Sequence, residues 1–528
     1  MAGQAVLEVR GLSVAFGDRP PVTHGVDLTL RAGATTALVG ESGSGKSVTS
    51  SAIMGLLPAG GRVVAGEVVH GPSGVDWLVK GAPRGRGVSM VFQDPMSSLN
   101  PSMRVGAQVA EPLEVHRGWG RKEALARAVE LLGEVELPDP ERTARKYPHE
   151  LSGGQKQRVM VALALASDPD VLIADEPTTA LDVTVQRSLL ELLARLQRER
   201  GLAMLFITHD LGVVEAIADE VVVMRDGRVV ERGDLAQIFE APQHAYTAEL
   251  LAAHRRPVRH VPHQPAPPLV TAVGVRKSFV TQRDLIGRPT ARFEALKGID
   301  LVIHRGERLG LVGESGSGKS TLGRALLGLS PTDAGHIVFD GTPVEPATLP
   351  ALRRRAQLVF QDPYAALNPR MTIGAALREV LATHGHPAER AAALLAEVGL
   401  PEDTASKRPG NLSGGQRARV VIARALAVEP EFLVLDESVA ALDTAIRESV
   451  LALLSDLADR RGLTYLFISH DLPVVAGFCD RVAVMHAGQI VELGPAAQVL
   501  ERPQHPYTQE LIASQPHRMA HIRDFDAL

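Results

Sequence analysis

Short apolar runs and helical stripes alternate along this chain, and the alternation occurs twice. Thr36-Ala-Leu-Val39 is an apolar run that ends at a glycine-rich loop. Val171-Leu-Ile-Ala174 and Phe432-Leu-Val-Leu435 are uninterrupted apolar runs, each closed by Asp-Glu. Ala203-Met-Leu-Phe-Ile207 and Tyr465-Leu-Phe-Ile468 repeat the pattern. Apolar runs this short and without alternation predict strands buried on both faces, the habit of parallel sheets. After Asp182, Val185, Leu189, Leu193 and Leu196 fall on one helical face; after Asp443 the matching set is Ile446, Val450, Leu454 and Leu457. Stripes at that spacing predict helices packed on a core. Strand-like runs alternating with helical stretches point to an α/β fold with a largely parallel central sheet.

The doubling is literal. Gly40-Glu-Ser-Gly-Ser-Gly-Lys-Ser47 returns as Gly313 to Ser320, Leu151-Ser-Gly-Gly-Gln155 as Leu412 to Gln416, and Gln243-His-Ala-Tyr-Thr247 as Gln504-His-Pro-Tyr-Thr508. Lys46 and Lys319 are 273 apart, Gln93 and Gln361 are 268 apart, and Ser152/Ser413, Asp175/Asp436, His209/His470 and Tyr246/Tyr507 are all 261 apart. The second copy is therefore shorter in its first half and equal in length thereafter. Two homologous domains explain this, and a solenoid of short repeats does not. We place the first domain at residues 1–253, a spacer at 254–268 and the second domain at 269–528. Five prolines between His254 and Pro268 exclude a helix there and favour an extended spacer.

Composition narrows the class. With 45% hydrophobic and 22% charged residues the chain is globular. A net charge of −5 argues against a general nucleic-acid binder, and no nucleic-acid partner is expected. Cys479 is the one cysteine, which excludes an internal disulfide and four-cysteine zinc or iron–sulfur sites, and suits a reducing compartment. No apolar run reaches the roughly 18–20 residues of a membrane span, and the N-terminus has no secretion signal. The expectation is a protein that folds in the cytoplasm and meets a membrane only through a partner.

The chemistry begins at the glycine-rich loops. Gly-x-x-x-x-Gly-Lys-Ser follows a strand and opens a helix in both copies. Glycines let the backbone wrap phosphates with N–H groups inward, and the helix N-terminus adds positive potential. Gly40, Glu41, Ser42, Gly43, Ser44, Gly45, Lys46 and Ser47 form one loop; Gly313, Glu314, Ser315, Gly316, Ser317, Gly318, Lys319 and Ser320, followed by Thr321, form the other. Lys46 and Lys319 should reach the β- and γ-phosphates, and Ser47 and Ser320 should bind Mg²⁺. Asp175-Glu176 and Asp436-Glu437 end apolar strands, where acidic pairs need a cation or a hydrogen-bond network. That reading gives each Asp a hold on Mg²⁺ and each Glu the attacking water.

The order of phosphate loop, Gln, Leu-Ser-Gly-Gly-Gln, Asp-Glu, Leu-Asp and His resembles the ATP-binding-cassette ATPases, twice over and across nearly the whole chain. The resemblance implies two tandem phosphate-loop NTPase cassettes. Each would have a RecA-like, mostly parallel core sheet, an antiparallel β subdomain, and a helical subdomain carrying the signature motif. It implies that the two cassettes pair head to tail, so that ATP is enclosed by the phosphate loop of one and the signature of the other. Site one would combine Lys46, Ser47, Gln93, Asp175, Glu176 and His209 with Ser413, Gly414, Gly415 and Gln416. Site two would combine Lys319, Ser320, Gln361, Asp436, Glu437 and His470 with Ser152, Gly153, Gly154 and Gln155. His209 and His470 would contact the γ-phosphate and share the catalytic role with Glu176 and Glu437. Gln93 and Gln361 would sense Mg²⁺ and relay to a membrane partner. Phe16 and Phe279 would stack on adenine, and Asp182 and Asp443 would sit in the loop that crosses the dimer. Both sites keep every one of these groups, so two hydrolysing sites are expected. The departures are Ser438 where the first copy has Pro177, and Arg408-Pro-Gly-Asn-Leu412 against Tyr147-Pro-His-Glu-Leu151.

Gln93-Asp-Pro-x-x-Ser-Leu-Asn-Pro101, its counterpart Gln361 to Pro369, and the Gln-His-x-Tyr-Thr segments resemble the oligopeptide, dipeptide and nickel import ATPases, here fused as in glutathione-type importers. The resemblance implies an ATPase at the cytoplasmic face of the membrane. Its partners would be two integral permease subunits and an extracytoplasmic solute-binding protein, with peptides as cargo and nickel or metal chelates as the alternative. A soluble doubled-cassette ATPase of translation or DNA repair is the competing class. Against it stand the short Pro-rich spacer, the single cysteine and the lack of sustained heptads.

Overall fold

The computed structural model describes residues 3–94, 98–178, 181–254, 266–283, 289–363, 365–439, 442 and 444–515. Asp443, most of the Pro-rich spacer and the stretch from Pro516 onward lie outside the described residues. The chain divides into two compact units whose main spans are Met1–His254 and Arg255–Ala513.

In the first unit the strands run β1 (Ala5–Phe16), β2 (Thr23–Arg31), β3 (Thr35–Val39), β4 (Gly61–His70), β5 (Val75–Asp76), β6 (Val88–Val91), β7 (Val171–Asp175), β8 (Ala203–Ile207), β9 (Glu220–Arg225) and β10 (Arg228–Asp234). They form two sheets. One is antiparallel, ordered β2-β1-β4-β5. The other is ordered β10-β9-β3-β8-β7-β6 and is parallel except for its β9–β10 hairpin. The apolar runs of the sequence are the inner strands of this second sheet, and every residue of β3, β7 and β8 is buried.

The absence of alternation has a direct cause. Ile173, Leu205 and Ile207 pack against Leu7, Leu12, Leu28 and Leu30 of the antiparallel sheet. Their neighbours Leu172, Ala174, Met204 and Phe206 pack on the opposite face against Val159, Val161, Leu189, Leu193 and Leu196. Those last residues belong to the helices Gly153–Leu165 and Val183–Arg200, the second being the predicted stripe. Between β6 and β7 the chain builds a helical layer from Val105–Pro112, Arg121–Glu134, Pro140–Arg145 and Gly153–Leu165.

The second unit repeats the plan with β11 (Pro268–Arg283), β12 (Pro289–His304), β13 (Arg308–Val312), β14 (Ala334–Phe339), β15 (Thr342–Pro343), β16 (Ala356–Val359), β17 (Phe432–Asp436), β18 (Thr464–Ile468), β19 (Arg481–His486) and β20 (Gln489–Pro495). Its sheets are ordered β12-β11-β14-β15 and β16-β17-β18-β13-β19-β20. The α/β architecture, the mostly parallel core and the separate antiparallel sheet match the expectation. No helix among the described residues is long and apolar enough to cross a membrane.

Candidate functional site

In each unit the phosphate-loop strand is central, and its C-terminal end meets the ends of two neighbours. Chemistry-bearing residues from distant parts of the chain therefore converge there. β3 ends at Val39, and the loop leads into the helix Lys46–Ile53; β13 ends at Val312, and the second loop leads into Lys319–Leu326. Gly40 has φ 149°, and a Cβ there would lie 2.2 Å from the Met224 carbonyl oxygen; at Gly313 the values are 146° and 2.0 Å from Met485 O. Only glycine fits so close to backbone. Gly45 and Gly318 cap the two helices in the left-handed region, with no side-chain cap. The first N–H groups of each helix, which have no intrahelical acceptor, are left for an anion.

Lys46 and Lys319 are buried, 6% and 5% exposed. Lys46 Nζ donates to Gly40 O at 2.7 Å and Glu41 O at 2.8 Å; Lys319 Nζ donates to Gly313 O and Glu314 O, both at 2.7 Å. Each ammonium is thus held inside its own loop, where a phosphate oxygen would meet it. Ser42, Gly43, Ser315 and Gly316 are exposed at the loop tips, and Thr321 is half-buried in the first turn of its helix. Ser44 and Ser317 are buried; Ser317 Oγ has no hydrogen-bond partner.

Ser47 Oγ donates to Asp175 Oδ1 at 3.4 Å, and Ser320 Oγ to Asp436 Oδ1 at 2.8 Å. Burial pushes the Asp175 carboxyl up to about 6, against the opposing pull of Ser47 and Lys46. Burial raises Asp436 as well, and Ser320 opposes it. A buried carboxylate that resists ionisation in isolation is one that a cation would stabilise. A hydroxyl and a carboxylate are hard oxygen donors with most of an octahedral shell left for phosphate and water, which fits Mg²⁺.

The next residue in each strand is the more unusual. Glu176 has φ 45° and Glu437 has φ 46°, in the left-handed region that a non-glycine residue enters at a cost of roughly 1–3 kcal/mol. The backbone is held there by Glu176 N donating to Ile207 O at 2.9 Å and Glu437 N to Ile468 O at 3.0 Å. This turn brings each carboxylate between an amide and an imidazole. Gln93 Nε2 donates to Glu176 Oε2 at 2.8 Å, and His209 Nδ1 lies 3.0 Å from Glu176 Oε1. Gln361 Nε2 donates to Glu437 Oε2 at 2.7 Å, and His470 Nδ1 lies 3.6 Å from Glu437 Oε1. The His470 ring holds Glu437 below the usual carboxylate range, against burial. Burial alone would lower His470; the Glu437 and Asp471 carboxylates outweigh it and raise the imidazole. A carboxylate oriented this way can accept a proton from water, and its histidine can steer the same water.

The signature residues stand apart from this cluster. Ser152 and Ser413 cap the helices Gly153–Leu165 and Gly414–Leu426 through capping boxes with Gln155 and Gln416. A Cβ at Gly154 would lie 2.5 Å from Val185 Cγ1, and one at Gly415 would lie 2.3 Å from Ile446 Cγ2, so packing demands these glycines. A Cβ at Gly153 meets nothing within 4 Å. The aromatic residues are unequal. Phe16 is half-buried against the antiparallel sheet's core, whereas Phe279 is 45% exposed, with Lys277 Nζ 5.6 Å from its ring centroid. Asp182 caps the helix Val183–Arg200.

Sequence reasoning missed two contributors. Tyr246 and Tyr507 are buried, and their hydroxyls accept from the N–H groups of Glu41 at 3.2 Å and Glu314 at 3.1 Å inside the phosphate loops. The 261-residue offset they share with the Asp175/Asp436 and His209/His470 pairs was the available signal.

A family model described as ABC transporter matches residues 23–179 and 296–440. One described as Oligopeptide/dipeptide transporter, C-terminal region, matches residues 230–272 and 491–527. The chain is 45% identical over 559 residues to the glutathione import ATP-binding protein GsiA of Salmonella typhimurium, covering 97% of this chain and 89% of that one. It is 44% identical over 557 residues to GsiA of Escherichia coli K12, with the same coverage.

Proposed function

The chain belongs to the ABC transporter family of ATPases, and from that premise we propose that it is the energy-coupling subunit of an importer for peptides, of the dipeptide, oligopeptide or glutathione kind. The observation that carries this reading is the kinship with glutathione import ATP-binding proteins, which runs through both cassettes and both regions that follow them. The chain would sit peripherally on the cytoplasmic face of a membrane, against two permease subunits served by an extracytoplasmic solute-binding protein.

In this reading each phosphate loop, with Lys46 or Lys319, binds the β- and γ-phosphates of ATP. Mg²⁺, held by Ser47, Asp175 and Gln93 in one site and by Ser320, Asp436 and Gln361 in the other, would neutralise charge on those phosphates. Glu176 and Glu437 accept the proton of the attacking water as it bonds to the γ-phosphorus and the bond to the ADP oxygen breaks. His209 and His470 orient that water and the γ-phosphate. Ser152, Gly153, Gly154 and Gln155, and their counterparts Ser413, Gly414, Gly415 and Gln416, complete the site of the opposite cassette. The open space around Gly153 supports this, because its own fold does not require glycine there. ATP then bonds the cassettes into a closed pair, and hydrolysis releases them; the permease follows that cycle.

The test is reconstitution. The chain co-purifies with two multi-span membrane proteins, and in proteoliposomes its ATPase rises when a loaded peptide- or glutathione-binding protein is added. Stimulation by nickel chelates alone would change the cargo. Stimulation by ribosomes with no membrane partner would overturn the transporter reading.

A further inference from the structure

The Gln-His-x-Tyr-Thr segment after each cassette has no place in the hydrolytic chemistry above, yet it is built into the phosphate loop. In the first cassette the Glu231 carboxylate on β10 accepts from the N–H groups of Gln243 at 2.7 Å and His244 at 3.1 Å. His244 Nδ1 accepts from Tyr246 N at 3.2 Å. These bonds fix the start of the helix Ala245–His254 and aim the buried Tyr246 hydroxyl at Glu41 N–H. The carbonyl of Glu41 accepts from Lys46 Nζ. One loop residue is thus held on its N–H by the tyrosine and on its C=O by the phosphate-binding lysine.

The second cassette repeats every bond. Glu492 accepts from Gln504 N at 3.0 Å and His505 N at 3.1 Å, His505 Nδ1 accepts from Tyr507 N at 3.2 Å, and Tyr507 OH accepts from Glu314 N–H, whose carbonyl meets Lys319 Nζ. What packs on the rings differs. The Arg225 guanidinium lies 4.7 Å from the Tyr246 ring centroid, whereas the His486 ring lies 3.9 Å from that of Tyr507. The hydroxyl contact is common to both copies and the ring contact is not, so the hydroxyl is the functional part.

We propose that Tyr246 and Tyr507 are positioning residues through which the segment following each cassette presets its own phosphate loop and so sets the affinity for the nucleotide triphosphate. This rests on the reading of the loops as ATP sites. Removing the hydroxyl takes the tyrosine's acceptor from a partly buried loop N–H and lets the lysine-bearing turn relax, which weakens binding without touching the groups that act on water.

The experiment uses the full chain with Mg²⁺ and a fluorescent ATP analogue. Tyr246→Phe is measured in a Lys319→Ala background, so that only the first site binds, and Tyr507→Phe in a Lys46→Ala background. Each is expected to raise the Kd about fivefold to tenfold over its parent. In the otherwise unaltered chain the paired Tyr→Phe variant is expected to raise KM for ATP similarly, with kcat at saturation within about twofold. Arg225→Gln, which strips the ring's neighbour but spares the hydroxyl, should leave the first-site Kd unchanged. An unchanged Kd in the Tyr→Phe variants, a fall in kcat with KM constant, or an equal loss in Arg225→Gln would each overturn the proposal while leaving the ATP sites standing. Parents that bind no nucleotide would overturn the ATP-site reading and this inference with it.

Discussion

The two cassettes treat the two ends of their phosphate-loop strands differently. At the C-terminal ends four kinds of bond recur in both: lysine to loop carbonyls, serine to aspartate, glutamine to glutamate, tyrosine to loop N–H. At the N-terminal ends it is not. β3 begins at Thr35, whose N–H donates to Asp219 at 2.7 Å. β13 begins with Arg308, whose N–H meets Asp480 at 2.9 Å but whose side chain, 3% exposed, also reaches Ser455 and Asp459 at 2.7 Å and lies over Phe478 at 5.4 Å. The lesson is that one end of the strand answers to phosphate chemistry, which admits one solution, and the other only to packing, which admits many.

The sharpest way to break the equivalence is at the carboxylates. Glu176→Gln and Glu437→Gln should each slow hydrolysis at its own site by about 10²–10⁴-fold, read by single-turnover phosphate release in the chain with one competent site. If Glu437→Gln hydrolyses as fast as the unaltered chain, the second site is not competent and its geometry misleads.

Arg308→Ala probes the end that differs. Losing its packing and its bonds to Ser455 and Asp459 should destabilise the second cassette by about 1–3 kcal/mol, seen as a lower unfolding midpoint for that cassette alone. An unchanged midpoint would make the arginine brace ornamental.

The pH response follows from Asp175. Its carboxyl binds a proton more tightly in the folded chain, so that proton favours folding below the ordinary value of 3.8, and the advantage is lost as pH rises through about 6. Above that pH the buried charge is unfavourable until a cation meets it. Mg²⁺ with ATP should therefore raise the melting temperature more at pH 7.5 than at pH 5.5, and Asp175→Asn should flatten the difference.

The smallest effect concerns Ser438, which stands where the first cassette has Pro177. The preceding glutamates share their backbone, with φ 45° and 46°, and Pro177 and Ser438 are both buried. Ser438→Pro should stabilise by about 0.4–1 kcal/mol through the unfolded chain, measured by denaturant midpoint, with ATPase unchanged.

Much of this was legible beforehand because it is local. The strand β7 was marked by Val171–Ala174 and gained only Asp175, and the helix Val183–Arg200 was marked by its stripe. Other parts left no local mark. The segment Leu113–Arg117 after Pro112 winds as a π-helix, which no apolar stripe announces. Phe16 and Phe279 occupy equal places in the repeat, but one is half-buried and the other exposed, because burial depends on what packs above a residue.

The sequence by itself determined that there are two cassettes, where each glycine-rich loop lies, and which lysines, serines and strand-ending acids stand beside it, since glycine spacing and strand-ending acids act through neighbouring backbone. Only the tertiary structure decided that Gln93 and His209 share Glu176, that the carboxylate is held by a left-handed turn, and that Tyr246 reaches back 205 residues to Glu41. Those contacts arise from the order of strands in the sheet, which sets side chains far apart in the chain against one another in space.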